Sequence, residues 1–389
     1  MSENPFEGVR IVGVGQTTYE KQSAKSLQRL LWEAADLGLK SAGLTWRQVD
    51  GLGVTCFGMG PDNVTTIAEH FGIEARFLFQ GLYGGASGVI GMMHAARAIR
   101  DGDAEVVVIV AADGTKKGED RLDRVAGFNP PIRDYEAPFG FAGPNGMFAL
   151  QTRLYMERNG ARREDFGRLC IAQRENAMRN PNALLRKPLT MDAYLDARPI
   201  ADPLRLFDCV MPCFGSDCVI LASERIARTL PGPKLRIVAG GEFHNFPAND
   251  PYTLSAGWAG FSDRMYSRAG LGPEDLHFAQ LYDDYPVMEF IQLEGLSISP
   301  KGKTHEWIRS HDVTWKGDFP INTGGGQLSA GQAGASGGMI GVVEGVLQLR
   351  GEGGERQVAC SRGVVCGYGM VAYGRGLSAS AAILERIEN

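Results

Sequence analysis

The chain offers few residues in patterns that do covalent or metal chemistry. Ser87, in Gly84-Gly85-Ala86-Ser87-Gly88, opens an apolar helical stretch. A serine hydroxyl attacks only when a base activates it. No histidine adjoins Ser87, and a serine at a helix start commonly holds backbone amides instead. Cys209, Cys213 and Cys218 lie close together, but without a neighbouring histidine or paired Cys-x-x-Cys spacing they do not read as a zinc set. The histidines are scattered: His94 falls inside the helix after Gly88, and His244 is placed to border a cleft. Tyr282-Asp283-Asp284-Tyr285 is the remaining concentration of acid–base groups, phenols beside carboxylates.

These groups hang on a chain that repeats itself. Residues 9–15 read as a buried strand, a helical stretch from about 26 ends at Gly43, and 49–54 leads into a second strand. Residues 235–241, a helical stretch ending at Ala269-Gly270, and 274–281 repeat that order. Gly84-Gly85-Ala86-Ser87-Gly88 opens a helix to Arg100, followed by a strand at 105–110. Ala333-Gly334-Ala335-Ser336-Gly337 opens another to about Leu349, and 356–360 begins the matching strand. A single repeat over half the chain means a duplicated domain and not a solenoid. Apolar strands alternating with helices predict sheets covered on both faces. Small residues at the strand-to-helix turns permit close backbone approach, either to a ligand or to the facing half.

The first half takes 1–114 with 228–234, and the second takes 235–389. Residues 115–227, rich in Gly, Pro, Arg and Asp with helices at about 144–159 and 163–178, read as a lid inserted over the first half. A net charge of −5 without blocks of like sign excludes the basic footprint of a nucleic-acid binder. The longest apolar run, 106–112, is too short to cross a bilayer. With no apolar leader at the N-terminus and seven cysteines in no framework spacing, a cytoplasmic location without disulfides is expected.

Two duplicated α/β halves with an insertion in the first describe the thiolase fold, five layers in the order α/β/α/β/α. The chain resembles the thiolase superfamily along nearly its whole length, in the lipid-transfer or sterol-carrier-protein-x branch. The resemblance is carried by Gly85-Ala86-Ser87-Gly88, Leu281-Tyr282-Asp283-Asp284-Tyr285, Pro320-Ile321-Asn322-Thr323-Gly324-Gly325, Gly331-Gln332-Ala333-Gly334 and Cys366-Gly367-Tyr368-Gly369. Working thiolases carry a nucleophilic cysteine where Gly85 stands and a histidine where Gln332 stands. Gly85 cannot form an acyl-enzyme. Gln332 can donate to an oxyanion but cannot shuttle a proton. Cys366 matches a cysteine that acts as acid and base near the substrate α carbon, and reads equally as a buried strand-end thiol. Tyr282-Asp283 looks like the CoA-ester side-chain retro-aldolases of steroid degradation, which also lack the nucleophile. A second tyrosine of those enzymes falls at Gln332, a departure from their pattern. The helix opening at 331–338 is closer in length to thiolase-like acyltransferases.

The resemblance implies a carbon–carbon lyase that cleaves a β-hydroxyacyl-CoA. Tyr282 with Asp283 would form the base, provided nearby charge lowers the phenol's ordinarily high pKa. Gln332 and backbone amides would hold the enolate oxygen. Asn322 would shape its loop, and Asp284 and Tyr285 would be solvated or structural. Gly85, Ser87, Asn322, Gly334 and Gly367 would border the CoA thioester, with CoA entering as part of the substrate and no cofactor tightly bound. A homodimer through the first halves and a small OB-fold accessory protein with a zinc ribbon are implied in the same way. Two other readings stay open: an acyltransferase using Cys366, and a non-catalytic subunit that binds acyl-CoA or lipid.

Overall fold

The computed structural model describes residues 4–114, 129–141, 143–250 and 253–387. The first half runs β1 (Val9–Gln16), α1 (Leu27–Ala42), β2 (Gly51–Thr55), α2 (Val64–Phe71), β3 (Phe77–Gln80), α3 (Ser87–Arg100) and β4 (Val106–Asp113). The insertion holds α4 (Pro144–Asn159), α5 (Arg163–Ala177), α6 (Met191–Leu195) and a small hairpin of β5 (Pro199–Ala201) and β6 (Leu204–Arg205). β7 (Gly215–Ser223) and α7 (Glu224–Ala227) follow. The second half runs β8 (Leu235–His244), α8 (Trp258–Ala269), β9 (Ala279–Gln280), α9 (Pro286–Gly295), α10 (Thr304–Ser310), α11 (Gly326–Ala330), α12 (Gly337–Arg350), β10 (Arg362–Ala372) and β11 (Arg375–Arg386).

The duplication is visible in the strand order β3-β2-β4-β7-β1-β8-β11-β10-β9. Each half places two antiparallel neighbours beside a parallel pair: β1, β7, β4, β2 in the first, and β8, β11, β10, β9 in the second. The half-sheets join at one residue pair, Ile11 with Leu235. Alternate strand residues face opposite sides, which builds the five layers. Val107, Ile109, Val365 and Leu384 turn inward onto α3 and α12. Val106, Val108 and Ile220 turn out onto α1 and α2, while Val364, Cys366 and Ile383 turn out onto α8 and α9.

The small residues at the turns serve contact between the halves. A Cβ on Gly88 would lie 2.6 Å from the Gly338 carbonyl oxygen, and one on Gly338 would lie 2.3 Å from that of Gly85. The starts of α3 and α12 therefore touch through backbone. α1 shows the local logic of the helices: the Ser26 side chain accepts from the Arg29 amide, and Gly43, at φ 72°, ends it.

Three expectations need correction. The insertion ends before Gly215, because β7 lies in the sheet between β1 and β4. Its two long helices pack mainly on the second half, with Phe148 on Tyr285 at 4.9 Å and Phe166 on Phe290 at 4.6 Å, while Asn182 after them reaches Gln16 and Tyr19 of the first. The last repeat strand begins at Arg362, since 356–360 is bound to α12. Arg356 pairs with Glu344 at 2.8 Å, and Gln348 takes the Val358 amide at 2.8 Å.

Phe166→Ala removes a ring buried at 2% exposure in the seam between the insertion and α9. It should cost about 3–5 kcal/mol, read as a lower unfolding midpoint in denaturant.

Candidate active site

Tyr282 follows β9 and ends in the space between the halves. Its amide donates to Gln292 Oε1 at 2.9 Å, and Gln292 Nε2 returns to its carbonyl oxygen at 2.6 Å, so α9 fixes the backbone on both sides. Its ring lies against the turn that opens α3. A Cβ added at Gly85 would lie 1.9 Å from Cε2 and 2.3 Å from Cζ of Tyr282. The phenol therefore occupies the volume that a side chain at 85 would need.

The hydroxyl of Tyr282 donates to Asp284 Oδ2 at 3.0 Å. Gln332 Nε2 donates to Asp284 Oδ1 at 3.2 Å and also hydrogen-bonds to the phenol. Gln327, oriented to satisfy both its neighbours, donates to the same Asp284 oxygen at 3.1 Å. Burial, with the Asp284 charge second, pushes the Tyr282 phenol well above its ordinary value. The condition set for Tyr282 as a free base, a nearby charge that lowers its pKa, is thus reversed. The phenol is neutral and hydrogen-bonds toward a carboxylate, an arrangement suited to relaying a proton.

Asp283 is not the phenol's partner. Its carboxylate accepts the amides of Gln327 at 2.9 Å and Leu328 at 3.1 Å, holding the start of α11. Burial raises it from 3.8 to about 7. Asp284, expected to be solvated or structural, is the residue that reaches the phenol. Tyr285 is packed as expected, with its hydroxyl on Asn145 Oδ1 at 2.5 Å. Behind the pair, burial holds the Glu289 carboxyl well above its ordinary value. Gln173 Nε2 donates to Glu289 Oε2 at 2.6 Å, and Asn322 Nδ2 does so at 3.2 Å. Sequence reasoning missed Glu289 and Gln292, because only the docking of α9 brings them behind Tyr282.

The remaining candidates build the walls. Asn322, at φ 46°, takes the Leu281 amide on Oδ1 at 2.7 Å and shapes the loop before Tyr282. The Ser87 hydroxyl accepts the Tyr83 amide at 2.9 Å, so it ties the turn. Gly334, at φ 50°, mirrors Gly84, at φ 58°. A Cβ on Gly367 would lie 2.7 Å from the Gly85 carbonyl oxygen. Cys366 is 3% exposed, and burial pushes its thiol up. A buried protonated thiol packs and does not attack. His94 pairs with Glu242 at 2.8 Å, and the His244 ring lies on Tyr83 at 5.3 Å, two residues before Gly85.

Residues 244–386 match the family described as thiolase C-terminal domain-like. A 17-hydroxy-3-oxo-4-pregnene-20-carboxyl-CoA lyase of Mycobacterium tuberculosis is 34% identical over 359 residues, covering 88% of this chain and 91% of that protein. A steroid side-chain-cleaving aldolase of Thermomonospora curvata is 32% identical, covering 88% and 90%. The chain belongs to the thiolase superfamily, among its CoA-ester lyases and aldolases. A solved Ltp2-ChsH2(DUF35) aldolase superposes with a TM-score of 0.83 at 28% identity, covering 97% of each chain. Membership in this family accounts for the thiolase frame of the chain.

Gly85→Ala should cut activity about a hundredfold by displacing the Tyr282 ring, with the circular dichroism spectrum retained. Asp283 gives a second prediction. A carboxyl raised on folding binds its proton more tightly in the folded state, so the contribution of Asp283 to stability is fully present below the unfolded value of 3.8 and is lost as pH rises through about 7. Asp217, raised to about 6 by burial, adds the same sign at lower pH. Denaturant titrations should therefore show an unfolding free energy that falls between about pH 5 and pH 8, and Asp283→Asn should flatten the part above about pH 6.

Proposed function

We propose that the protein cleaves a β-hydroxyacyl-CoA with a bulky, steroid-like acyl group by a retro-aldol step. The observation that carries this reading is the Tyr282 ring in the place of a thiolase nucleophile, with its hydroxyl on Asp284. The substrate hydroxyl gives its proton to the Tyr282 oxygen as the phenol proton passes to Asp284. The carbon–carbon bond breaks, leaving a ketone or aldehyde and the enolate of the shortened thioester. The enolate oxygen requires a fixed hydrogen-bond donor, and its α carbon then takes up a proton. The proton lost by the hydroxyl equals the one gained by carbon, so no further reactant enters. CoA is part of the substrate, consistent with the CoA ester named for the relative of Mycobacterium tuberculosis.

The assembly is proposed on the same footing. The solved Ltp2-ChsH2(DUF35) aldolase joins two components in its name, which supports an accessory subunit of that kind here. Leu78, at the sheet edge in β3, and Leu82 and Tyr83 just after it are exposed large apolar residues, which supports a homodimer formed through the first halves. Seven cysteines in no framework spacing favour a reducing cytoplasm.

The test is a panel of β-hydroxyacyl-CoA and β-ketoacyl-CoA esters, followed by mass spectrometry of both products. Release of a carbonyl compound with the shortened acyl-CoA intact is expected. Tyr282→Phe and Asp284→Asn should each lower kcat by about 10²- to 10⁴-fold, and Cys366→Ala should leave it within a fewfold. CoA-dependent cleavage of the ketoacyl esters, lost in Cys366→Ala, would overturn the reading.

A further inference from the structure

We infer that Glu289 is a positioning residue of this site, carried as a neutral acid, which holds Asn322 and through it the backbone that presents Tyr282. Its effect on turnover rests on the lyase reading above, whereas its protonation and its hold on Asn322 do not. Glu289 lies in the first turn of α9 and is closed to solvent. Both hydrogen bonds that it accepts end on one oxygen, Oε2, from Gln173 Nε2 at 2.6 Å and Asn322 Nδ2 at 3.2 Å. The other oxygen, Oε1, is buried and takes no bond among the described residues. That asymmetry is the one a carboxylic acid has, with a carbonyl oxygen that accepts and a hydroxyl that donates. An ionised carboxylate would leave half of a buried charge unserved. Gln173 Oε1, on the amide already bonded to Glu289, lacks a donor in turn.

The titratable and charged groups around it point the same way. No cation steadies a charge on Glu289 among the described residues. From α5, Cys170 faces it as a thiol that burial keeps protonated. Arg174, on the same helix, is bonded instead to Ser329 Oγ at 3.0 Å and to the Lys187 carbonyl oxygen at 3.3 Å. From the loop before α9, Asp283 faces Glu289 as a second buried carboxyl. The two compete to ionise, and their hydrogen bonds decide between them. Asp283 accepts two backbone amides, one on each oxygen, which favours its charged form. Glu289 accepts only side-chain amides, on one oxygen. The charge therefore falls on Asp283 and the proton stays on Glu289, whose carboxyl is pushed well up by burial and then by the Asp283 charge.

The consequence for the site runs through Asn322. Its backbone stands at φ 46°, in the left-handed region, and its side chain is held at both ends. Nδ2 is held by Glu289, and Oδ1 takes the amide of Leu281, the residue before Tyr282. Gln173 ties the same carboxyl to α5, whose Asn176 donates to the carbonyl oxygens of Ile321 and Asn322. A neutral Glu289 thus fixes the loop before Tyr282 without adding charge. An ionised one would set two like charges between α9 and the start of α11, the elements that hold Tyr282 and Asp283.

The experiment joins infrared spectroscopy to kinetics on a β-hydroxyacyl-CoA. Near neutral pH, the difference spectrum of wild type minus Glu289→Gln should contain the carbonyl stretch of a protonated carboxylic acid. A carboxylate stretch in its place would overturn the neutral acid. Glu289→Leu keeps the bulk without the bond to Asn322, and should lower kcat about a hundredfold with KM within a fewfold. Glu289→Asp, which draws the acid back by one methylene, should move kcat the same way and serves if the leucine variant does not fold. Glu289→Gln offers the same acceptor and donor, so it should restore kcat to within a fewfold. It should also keep its kcat to higher pH than the wild type, whose Glu289 ionises. Unchanged kcat in the leucine and aspartate variants, a glutamine variant that is inactive or unfolded, or coinciding pH profiles would overturn the inference. If the wild type cleaves no ester, the lyase reading falls, and positioning is read from hydrogen exchange at the Leu281 amide. Faster exchange in Glu289→Leu or Glu289→Asp than in Glu289→Gln supports it, and equal exchange overturns it.

Discussion

A phenol ring and a missing side chain share one small volume between the two halves, and the active site depends on that exclusion. Tyr282 stands where a Cβ at Gly85 would be, at 1.9 Å from its nearest ring atom. The two positions cannot both carry large groups. A cysteine at 85 expels the phenol, and the phenol excludes a cysteine. The bare backbone at 85 and the Tyr282 ring are therefore two sides of one packing constraint. In the proposed lyase this constraint puts a phenol, suited to moving a proton, where a nucleophile has no room.

The surroundings hold that ring by several independent routes. Gln292 on α9 clamps the Tyr282 backbone, Asn322 takes the preceding amide, and Asp283 holds the start of α11. The insertion closes the back of the site. Asn176 on α5 donates to the carbonyl oxygens of Ile321 and Asn322, and Asn180 to that of Gly324. Buried carboxyl groups of this kind burden stability as they ionise, which fits a site whose geometry matters more than its contribution to folding.

Much of this architecture is written in local sequence. Ser26 and Gly43 mark the ends of α1, and the paired small-residue turns at 84–88 and 333–337 mark the duplication. The missing cysteine at 85 is legible directly. Other features depend on contacts far apart in the chain. Asp283 and Asp284 are adjacent and chemically identical. Which one meets the phenol is decided by α11, whose amides claim Asp283. The side on which the insertion lies is set by Phe148 and Phe166 meeting aromatic residues of α9 and its entrance. The strand at 215–223 looks continuous with the insertion that precedes it, and only its pairing with β1 and β4 returns it to the sheet.

The most direct test of the central claim is intact-protein mass spectrometry during turnover of a β-hydroxyacyl-CoA, with the products analysed from a reaction run in deuterated water. Without a nucleophile, the protein mass stays unchanged throughout, and the shortened acyl-CoA gains one deuterium at its α carbon from the enolate. A protein species heavier by the mass of an acyl group, mapped to Cys366 or Ser87, would contradict the account.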